Sequence, residues 1–272
     1  TKQRKQTFLV LIDFSKRSMK ALKYAISLTK IIDGKIVLLY VGKPKEVVVL
    51  KSESTGQEVK DLDKNKAEVQ LRSIMEMIES EGLEAEFINT VGHRNTKINE
   101  YIKLFSPALV VLGKSDRLGK IAEHLIYQNN DNLLLVDSDV EFNTETQISI
   151  ACNETLLPDV KTDLLFWLSL NTLSPLFIFV NKKKSKEDKI SFPRSWKDIL
   201  TLDHTIGYKK KQHLSVVKSF KNHIVDNHIE LVCIDRKQKK DSLLSRLFYN
   251  QNTTKEIIHN THIPILVMAK SM

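Results

Sequence analysis

Short apolar runs recur along the first half of the chain, at intervals that are typical of alternating strands and helices. The runs carry few polar residues, as strands do when both of their faces are buried in a parallel sheet. The run at 85–90 has a weaker pattern than the others. The predicted strands are residues 7–13, 36–41, 85–90, 108–113 and 133–136.

The segments between these runs place apolar residues three and four positions apart, which is the spacing of one helix face. Ser15 or Ser18 is expected to cap the first helix, and Gly34 to follow its end. Segment 42–60 shows no clear period and is predicted to be a long loop. The predicted helices are residues 18–32, 62–81, 98–105 and 121–128.

The same alternation of predicted strands and helices begins again after Asp137, which indicates two copies of one supersecondary arrangement. The polar, aperiodic stretch around 139–144 marks the predicted boundary, with domains at 1–140 and 145–272. A lysine-rich loop is predicted over 182–197. In the second copy, strands are predicted at 148–153, 176–180, 202–208, 230–235 and 265–268, and helices at 163–170, 215–226 and 253–260. Strands alternating with helices predict a doubly wound α/β fold with its ligand crevice at the strand C-termini.

Composition excludes several classes of protein. The chain of 272 residues is 42% apolar and carries 42 Lys+Arg against 33 Asp+Glu, a net charge of +9, which excludes a disordered chain. The apolar runs are too short to span a bilayer, and the N-terminal one meets Asp13 too early for a secretory signal. We therefore expect a cytoplasmic protein in which Cys152 and Cys233 are small core residues.

The segment VLIDFSKRSMKALKYAISLTK, in which Asp13 ends a strand and an alanine-containing helix follows, resembles the universal stress protein family. The IVLLYV and ALVVLG strands and the C-terminal TTKEIIHNTHIPILVM add to this resemblance, which covers nearly the whole chain. It implies two tandem domains, each with a five-stranded parallel sheet in the order 3-2-1-4-5 flanked by helices. It also implies a pseudo-twofold relation between the domains, with the final strands 133–136 and 265–268 meeting across their interface.

Nucleotide-binding members of that family carry a phosphate loop G-x2-G-x9-G-[ST] after the fourth strand. Glycines allow backbone N–H groups to surround a phosphate, and the last Gly-[ST] opens a helix whose dipole favours an anion. Here Gly113 and Gly119 match the first and last glycines, but five residues separate them and Lys120 replaces the hydroxyl residue. A loop this short does not wrap a triphosphate in that way, although Lys114, Arg117 and Lys120 could attract an anion as point charges.

The resemblance also places Asp13 and Val41 in a nucleoside pocket. For Asp13, a role as a helix cap or as a charge at a helix N-terminus is an equal alternative. For Gly113 and Gly119, a role as turn glycines is favoured. In the second half Asn153 replaces the acidic residue, Asp235 stands where a glycine would be, and 251–252 replaces Gly-[ST]. That half is expected not to bind ATP by the family mechanism.

Other candidate chemistry is weaker. The lysine runs of the second half could form a surface for nucleic acid, acidic lipid or an acidic partner, but no nucleic-acid motif accompanies them, and solvated lysine surface is favoured. Six histidines lie beyond residue 200 without a metal-ligand pattern, and are expected to be exposed or partly buried. No catalytic motif stands out, so an enzyme is not predicted.

Three functions remain open from sequence. The first is a non-catalytic stress-response protein that contacts an unknown protein partner or small ligand, has a degenerate nucleotide site and holds no cofactor. The second is a sensor that binds ATP, ADP or AMP in the first half through Asp13, Val41 and the 113–120 loop. The third is an adaptor for anionic polymers or membranes. Pairing of the two domains within the chain is expected, and a homodimer is a further alternative.

Overall fold

A computed structural model describes residues 5–44, 53–115, 118–153, 163–181, 205–209, 216–235 and 263–269, with the backbone alone described at 53–64, 152–153, 180–181, 205–209, 216–217 and 235. The strands are β1 Gln6–Ile12, β2 Gly34–Gly42, β3 Glu84–Val91, β4 Leu109–Gly113, β5 Leu133–Val136, β6 Ile148–Asn153, β7 Leu176–Asn181, β8 Thr205–Lys209, β9 Leu231–Asp235 and β10 Ile265–Met268. The helices are α1 Lys16–Ile32, α2 Glu53–Ser80, α3 Arg94–Phe105, α4 Lys120–Gln128, α5 Asp163–Asn171 and α6 Val216–Asp226.

The strands form one sheet of ten, in the order β3-β2-β1-β4-β5-β10-β9-β6-β7-β8. Neighbouring strands run parallel within each half, and β5 and β10 run antiparallel where the halves meet. The family resemblance implied a separate sheet in each half, with the final strands meeting across an interface. The final strands do meet, but they pair edge to edge, with Leu134 opposite Leu266, so the two halves share one sheet. This pairing gives partners to N–H and C=O groups that a free strand edge would leave unpaired.

Helices cover both faces of the sheet. One face packs against α1, α2 and α5 through buried residues such as Leu22, Leu71 and Leu165. The other packs against α3, α4 and α6 through residues such as Ile98 and Leu125. Because both faces are covered, the strands are continuous apolar runs in the sequence. Burial of each aliphatic side chain stabilises the folded protein by roughly 1.5–3 kcal/mol.

Two element boundaries differ from the sequence prediction by four residues or more. The loop predicted over 42–60 is wrong at its end, because α2 already begins at Glu53. Helix α3 begins at Arg94, four residues before the predicted start, because its first turn is polar and shows no apolar period. The predicted loop 182–197 and the predicted helix 253–260 lie outside the described residues.

The segment between β5 and β6 is fastened to α1. Lys20 Nζ lies 2.9 Å from Asp139 Oδ2, and the Phe142 N–H donates to Ser27 Oγ at 2.9 Å. The buried Phe142 ring meets Tyr24 edge-on, with the ring centroids 6.0 Å apart. These contacts hold the connection against the first half, so β6 starts from a fixed position.

The Tyr24 hydroxyl is fully buried between the halves and has no hydrogen-bond partner among the described residues. Burial, together with the neighbouring Cys233 and Glu230, raises the pKa of Tyr24 well above its usual value. An unpaired buried hydroxyl costs free energy, so we expect Tyr24→Phe to raise the free energy of unfolding by about 1 kcal/mol. Urea unfolding measures this, with Tyr101→Phe at a half-buried site as the matched control that stays within about 0.5 kcal/mol. A loss of stability in Tyr24→Phe would contradict the expectation.

His223 departs from the prediction of exposed or partly buried histidines, because its side chain is 0% exposed in the core of the second half. Its Nε2 lies 2.7 Å from Ser149 Oγ, and Asn227 Nδ2 donates to its Nδ1 at 3.1 Å. Since Nδ1 accepts, Nε2 carries the proton and donates to Ser149, which defines a neutral ring. Desolvation by burial, opposed by the charge of Asp226, lowers the pKa of His223 from 6.5 to about 4.

Candidate functional site

A pocket opens where the first half's strands β1, β2 and β4 end and its helices α1, α3 and α4 begin. Its volume is about 100 Å³. This is the carboxyl edge of the parallel strands, where doubly wound sheets hold their ligands. The lining residues from the strands and the β1–α1 turn are Leu11, Ile12, Asp13, Ser15, Leu39, Val41, Leu112 and Gly113, and those from the helices are Arg17, Ser18, Arg94, Ile98 and Ile121.

Asp13 stands at the mouth of this pocket, directly after β1. Its Oδ1 accepts the Ser15 N–H at 3.1 Å, and its own N–H donates to Ser18 Oγ at 3.4 Å. Partial burial raises the pKa of Asp13, but the hydrogen bonds from Ser15 and Ser18 and the charge of Arg94 outweigh it and leave the pKa below its usual range. Asp13 is therefore a carboxylate at neutral pH, and it takes part in the turn that starts α1 as well as lining the pocket.

The turn after Asp13 has a defined capping arrangement. Ser15 is the N-cap of α1, and its Oγ accepts the Ser18 N–H at 3.2 Å. Phe14, between Asp13 and Ser15, adopts a left-handed backbone with φ 60° and packs its ring on Tyr40 at 5.0 Å between centroids. This conformation is rare for a bulky residue. The Phe14–Tyr40 contact anchors the turn that presents the Asp13 carboxylate.

Val41 lines the pocket together with Leu39, because alternate residues of β2 point to the same face of the sheet. Both side chains are buried. They form part of an apolar floor, so a ligand portion that reaches them loses its water.

Gly113 ends β4 beneath the first turn of α1. A Cβ atom at this position would lie 2.6 Å from the Arg17 carbonyl carbon, 2.7 Å from its oxygen and 2.8 Å from the Ser18 nitrogen. The backbone of α1 thus occupies the space directly above Gly113. Glycine is required here by this close approach of a helix backbone.

Lys114, Gly119 and Lys120 are placed apart from the pocket lining. Lys114 is buried, and its N–H donates to the Val136 carbonyl at 2.6 Å. Gly119 is the N-cap residue of α4, where an added Cβ would meet no atom within 4 Å, and Lys120 is exposed. Arg117 lies outside the described residues. The structure thus brings together Asp13, Val41 and Gly113 from the sequence-predicted set.

The sequence analysis predicted three of the thirteen lining residues as site residues, and two of those it missed come from α3. Arg94 is the first residue of α3, and the buried Ile98 lies one helical turn later. Arg94 acts on the Asp13 carboxylate through space, and no ion pair within 4 Å joins the two among the described contacts. The sequence around Arg94 carries no motif, and the start of α3 decides its position.

The corresponding edge of the second half is described by backbone alone. Asn153 ends β6 and Asp235 ends β9, as the sequence predicted, while 251–252 lies outside the described residues. Of the lysine-rich runs, Lys209 ends β8 and the remainder lies outside them as well.

The described part of the chain holds no group of three or more His, Cys, Asp or Glu side chains arranged for a metal ion. None of its helices combines the length and apolar character needed to cross a membrane. Cys233 is fully buried, and burial raises the pKa of its thiol, so it behaves as a core residue.

The fold and the pocket define a doubly wound α/β protein with a crevice at the carboxyl edge of the strands of its first half. Residues 5–134 match the model of the Universal stress protein family. No curated protein matches the chain.

Solved structures match over nearly the full length. The chain is similar to a universal stress protein from Archaeoglobus fulgidus DSM 4304, with a TM-score of 0.68 and 14% identity over 99% of this chain and 100% of that one. It is also similar to a functionally unknown protein from Pseudomonas aeruginosa PAO1, with a TM-score of 0.59 and 12% identity over 98% of this chain and 93% of that one. At these identities the matches establish the fold.

Proposed function

We propose that the chain is a non-catalytic universal stress protein of two tandem domains, which binds a ligand smaller than a nucleotide in its first half. The observation that carries the proposal is the pocket of about 100 Å³ lined by Asp13, Val41 and Gly113 at the carboxyl edge of the strands. Drug-sized ligands occupy pockets of roughly 300–1,000 Å³. The pocket has the position of a ligand site, and the volume that it encloses is a fraction of what a drug-sized ligand fills.

The surroundings of the pocket also disfavour a triphosphate. The backbone of α1 covers Gly113, so this glycine supports helix packing and does not leave room for a phosphate. At the start of α4, the first turn carries Glu123, whose charge opposes an anion at that helix N-terminus. Asp13 adds a second negative charge at the pocket mouth, although Arg17 and Arg94 also line the pocket.

The chemistry of the described side chains supports a non-catalytic role. Ser15 and Ser18, which line the pocket, take part in capping α1, and no histidine is among the lining residues. Ser149 and His223 are in contact, but both are fully buried where no substrate reaches them. A role in the stress response, through a small ligand or a protein partner, follows from the family resemblance. The cytoplasmic location expected from the sequence belongs to the same proposal.

The tandem arrangement is part of the same proposal. Antiparallel pairing of β5 with β10 in the middle of a sheet of ten is the arrangement that a pseudo-twofold axis between these strands would generate. Domains at 1–140 and 145–272 would then be paired within one chain, as two subunits are in an isologous dimer.

Isothermal titration calorimetry with ATP and Mg²⁺ tests the proposed ligand size. We expect no saturable binding with a Kd below about 1 mM, because the described lining encloses too little volume for a triphosphate. AMP and adenosine serve as smaller comparison ligands in the same titration. A micromolar Kd for ATP would overturn the proposal and favour the nucleotide-sensing alternative.

A further inference from the structure

Basic side chains without ion-pair partners gather at the carboxyl edge of the first half. Each is exposed, and each lies in a turn after a strand or at the start of a helix. Among the described contacts none of them belongs to an ion pair within 4 Å. They form a basic rim that consists of Lys16, Arg17, Lys43, Arg94 and Lys120. Apart from Asp139, which pairs with Lys20, the carboxylates described in the same turns are fewer and are Asp13, Glu123 and Asp137.

The amino edge of the same strands has a different arrangement of charge. Three of its lysines have a glutamate within 2.6–3.5 Å of Nζ, in the pairs Lys5–Glu84, Lys30–Glu81 and Lys35–Glu86. The unpaired basic charge of the first half is therefore concentrated at the opposite edge, where the pocket opens. An exposed group of unpaired cations attracts an anionic partner.

The basic rim surrounds the mouth of the pocket. Arg17 and Arg94 line the pocket, and Lys16 and Lys120 each directly precede a lining residue. Lys43 follows β2, whose last carbonyl accepts a backbone N–H of the β3–α3 turn at 3.1 Å, so Lys43 lies beside the start of α3. The ends of β3, β2, β1 and β4 cover three strand spacings, or about 14 Å. The rim thus extends along the edge and does not converge on one point.

Two aromatic rings lie at this edge beside the basic rim. Phe14 is in the turn after β1 and packs on Tyr40 near the end of β2, with ring centroids 5.0 Å apart and planes inclined by 33°. Both side chains are partly exposed. Bases of a single strand stack on aromatic side chains that lie beside a basic groove.

We propose that the basic rim binds the phosphates of a single-stranded nucleic acid without sequence preference, with a base stacked at the Phe14–Tyr40 pair. The inference goes beyond the proposed function, because it uses the rim and leaves the pocket to a smaller molecule. A nucleic-acid strand carries a phosphate at every nucleotide, so one strand meets several cations of the rim at once. Arginine at two of the five positions suits phosphate, because its planar donors match that group.

Other anionic partners fit this edge less well. A single phosphate group meets only part of a rim that extends over about 14 Å. An acidic protein partner would need an apolar centre for its interface. The large apolar side chains described as exposed at this edge are separated by the strands between β3 and β5, and they are Val91 and Val140.

Fluorescence anisotropy with a labelled oligo(U) of about 20 nucleotides tests the proposal on the full chain. Two triple variants are compared, and each removes three positive charges from exposed lysines that have no ion pair among the described contacts. The rim variant is Lys16→Gln, Lys43→Gln, Lys120→Gln. The control variant, whose lysines lie away from the carboxyl edge, is Lys23→Gln, Lys66→Gln, Lys103→Gln.

We expect the rim variant to bind oligo(U) about tenfold or more weakly than the parent at about 50 mM KCl. Each phosphate contact to a single strand contributes about 0.7 to the slope of log K against log salt, so this slope should fall by about 2. The control variant should keep the slope and lose less than about threefold in affinity, because it changes the net charge equally but leaves the rim intact.

Phe14→Leu tests the stacked base separately from the phosphates. We expect it to weaken oligo(U) binding by about fivefold or more and to leave the salt slope unchanged, because stacking releases no counterions. Phe105→Leu is the matched control, since Phe105 is also partly buried but ends α3 at the amino edge. Circular dichroism of every variant verifies folding.

Each remaining outcome overturns a stated part of the inference. Absence of oligo(U) binding at about 50 mM KCl overturns it entirely. Equal losses in the two triple variants would assign binding to net charge and not to the rim. Poly-L-glutamate or phosphatidylserine vesicles bound as tightly as oligo(U), and lost in the rim variant, would assign the rim to acidic protein or to lipid. The ATP titration is independent of these results, so the proposed small-ligand function is tested separately.

Discussion

Gly113→Ser is expected to lower the free energy of unfolding by about 3 kcal/mol. The added Cβ would lie 2.6–2.8 Å from backbone atoms of Arg17 and Ser18, and a backbone cannot rotate away as a side chain can. Overpacking of this kind costs roughly 1–3 kcal/mol, and displacement of the first turn of α1 places the cost at the upper end. The midpoint and slope of urea unfolding at pH 7 give the measurement.

Gly119→Ser is the matched control for that experiment, because it makes the same substitution at the other end of the same connection. An added Cβ at Gly119 meets no atom within 4 Å, and the residue is the N-cap of α4. Serine is a somewhat better N-cap than glycine, so we expect a gain of a few tenths of a kcal/mol. Equal losses at Gly113 and Gly119 would show that the approach of α1 is not what requires Gly113.

Acidification is expected to destabilise the protein through His223. Because its pKa falls from 6.5 to about 4 on folding, the unfolded chain binds a proton in this interval that the folded protein does not. The free energy of unfolding therefore decreases as the pH falls from 6.5 towards 4, by about 3 kcal/mol from this residue, and this contribution levels off below pH 4. Above pH 6.5, His223 does not make the free energy of unfolding depend on pH.

The double variant Ser149→Ala, His223→Phe isolates this contribution from the other titrating groups. Removing both partners leaves no unpaired hydroxyl, and the new ring lies beside Phe177, Phe179 and Phe220. Urea unfolding at pH 7 and at pH 4.5 is compared for both proteins, and the parent should lose about 2–3 kcal/mol more than the variant. Equal losses would mean that His223 does not hold its neutral form in the folded protein.

The elements of the fold could largely be predicted from sequence because the parallel strands are buried on both faces. Runs such as β2 and β4 are continuous apolar segments, a pattern that polar loops cannot imitate. The first two turns of α2 could not be predicted, since Glu53 and its neighbours show no apolar period. Joining of the halves through β5 and β10 depends on which edges meet, and strand composition does not determine this.

The candidate site was predictable only where it lies at strand ends. Asp13, Val41 and Gly113 were identified through the family resemblance, and each lies at a strand end, where the carboxyl ends of parallel strands gather at one edge of the sheet. Arg94 comes from a helix whose start carries no apolar signal, so its position depends on the turn after β3. The prediction that the histidines are exposed or partly buried was wrong for His223. Burial of a histidine depends on partners such as Ser149, which is 74 residues away in sequence.

Pairing of β5 with β10 inside one polypeptide has a consequence for how the protein behaves at low abundance. Two separate subunits held by the same strands would come apart on dilution, whereas a covalent connection keeps the partner strand at an effective concentration of order millimolar. The two halves therefore stay in one-to-one ratio at any expression level. Substitutions that remove a ligand site in one half, but leave its final strand intact, do not deprive the other half of its partner strand.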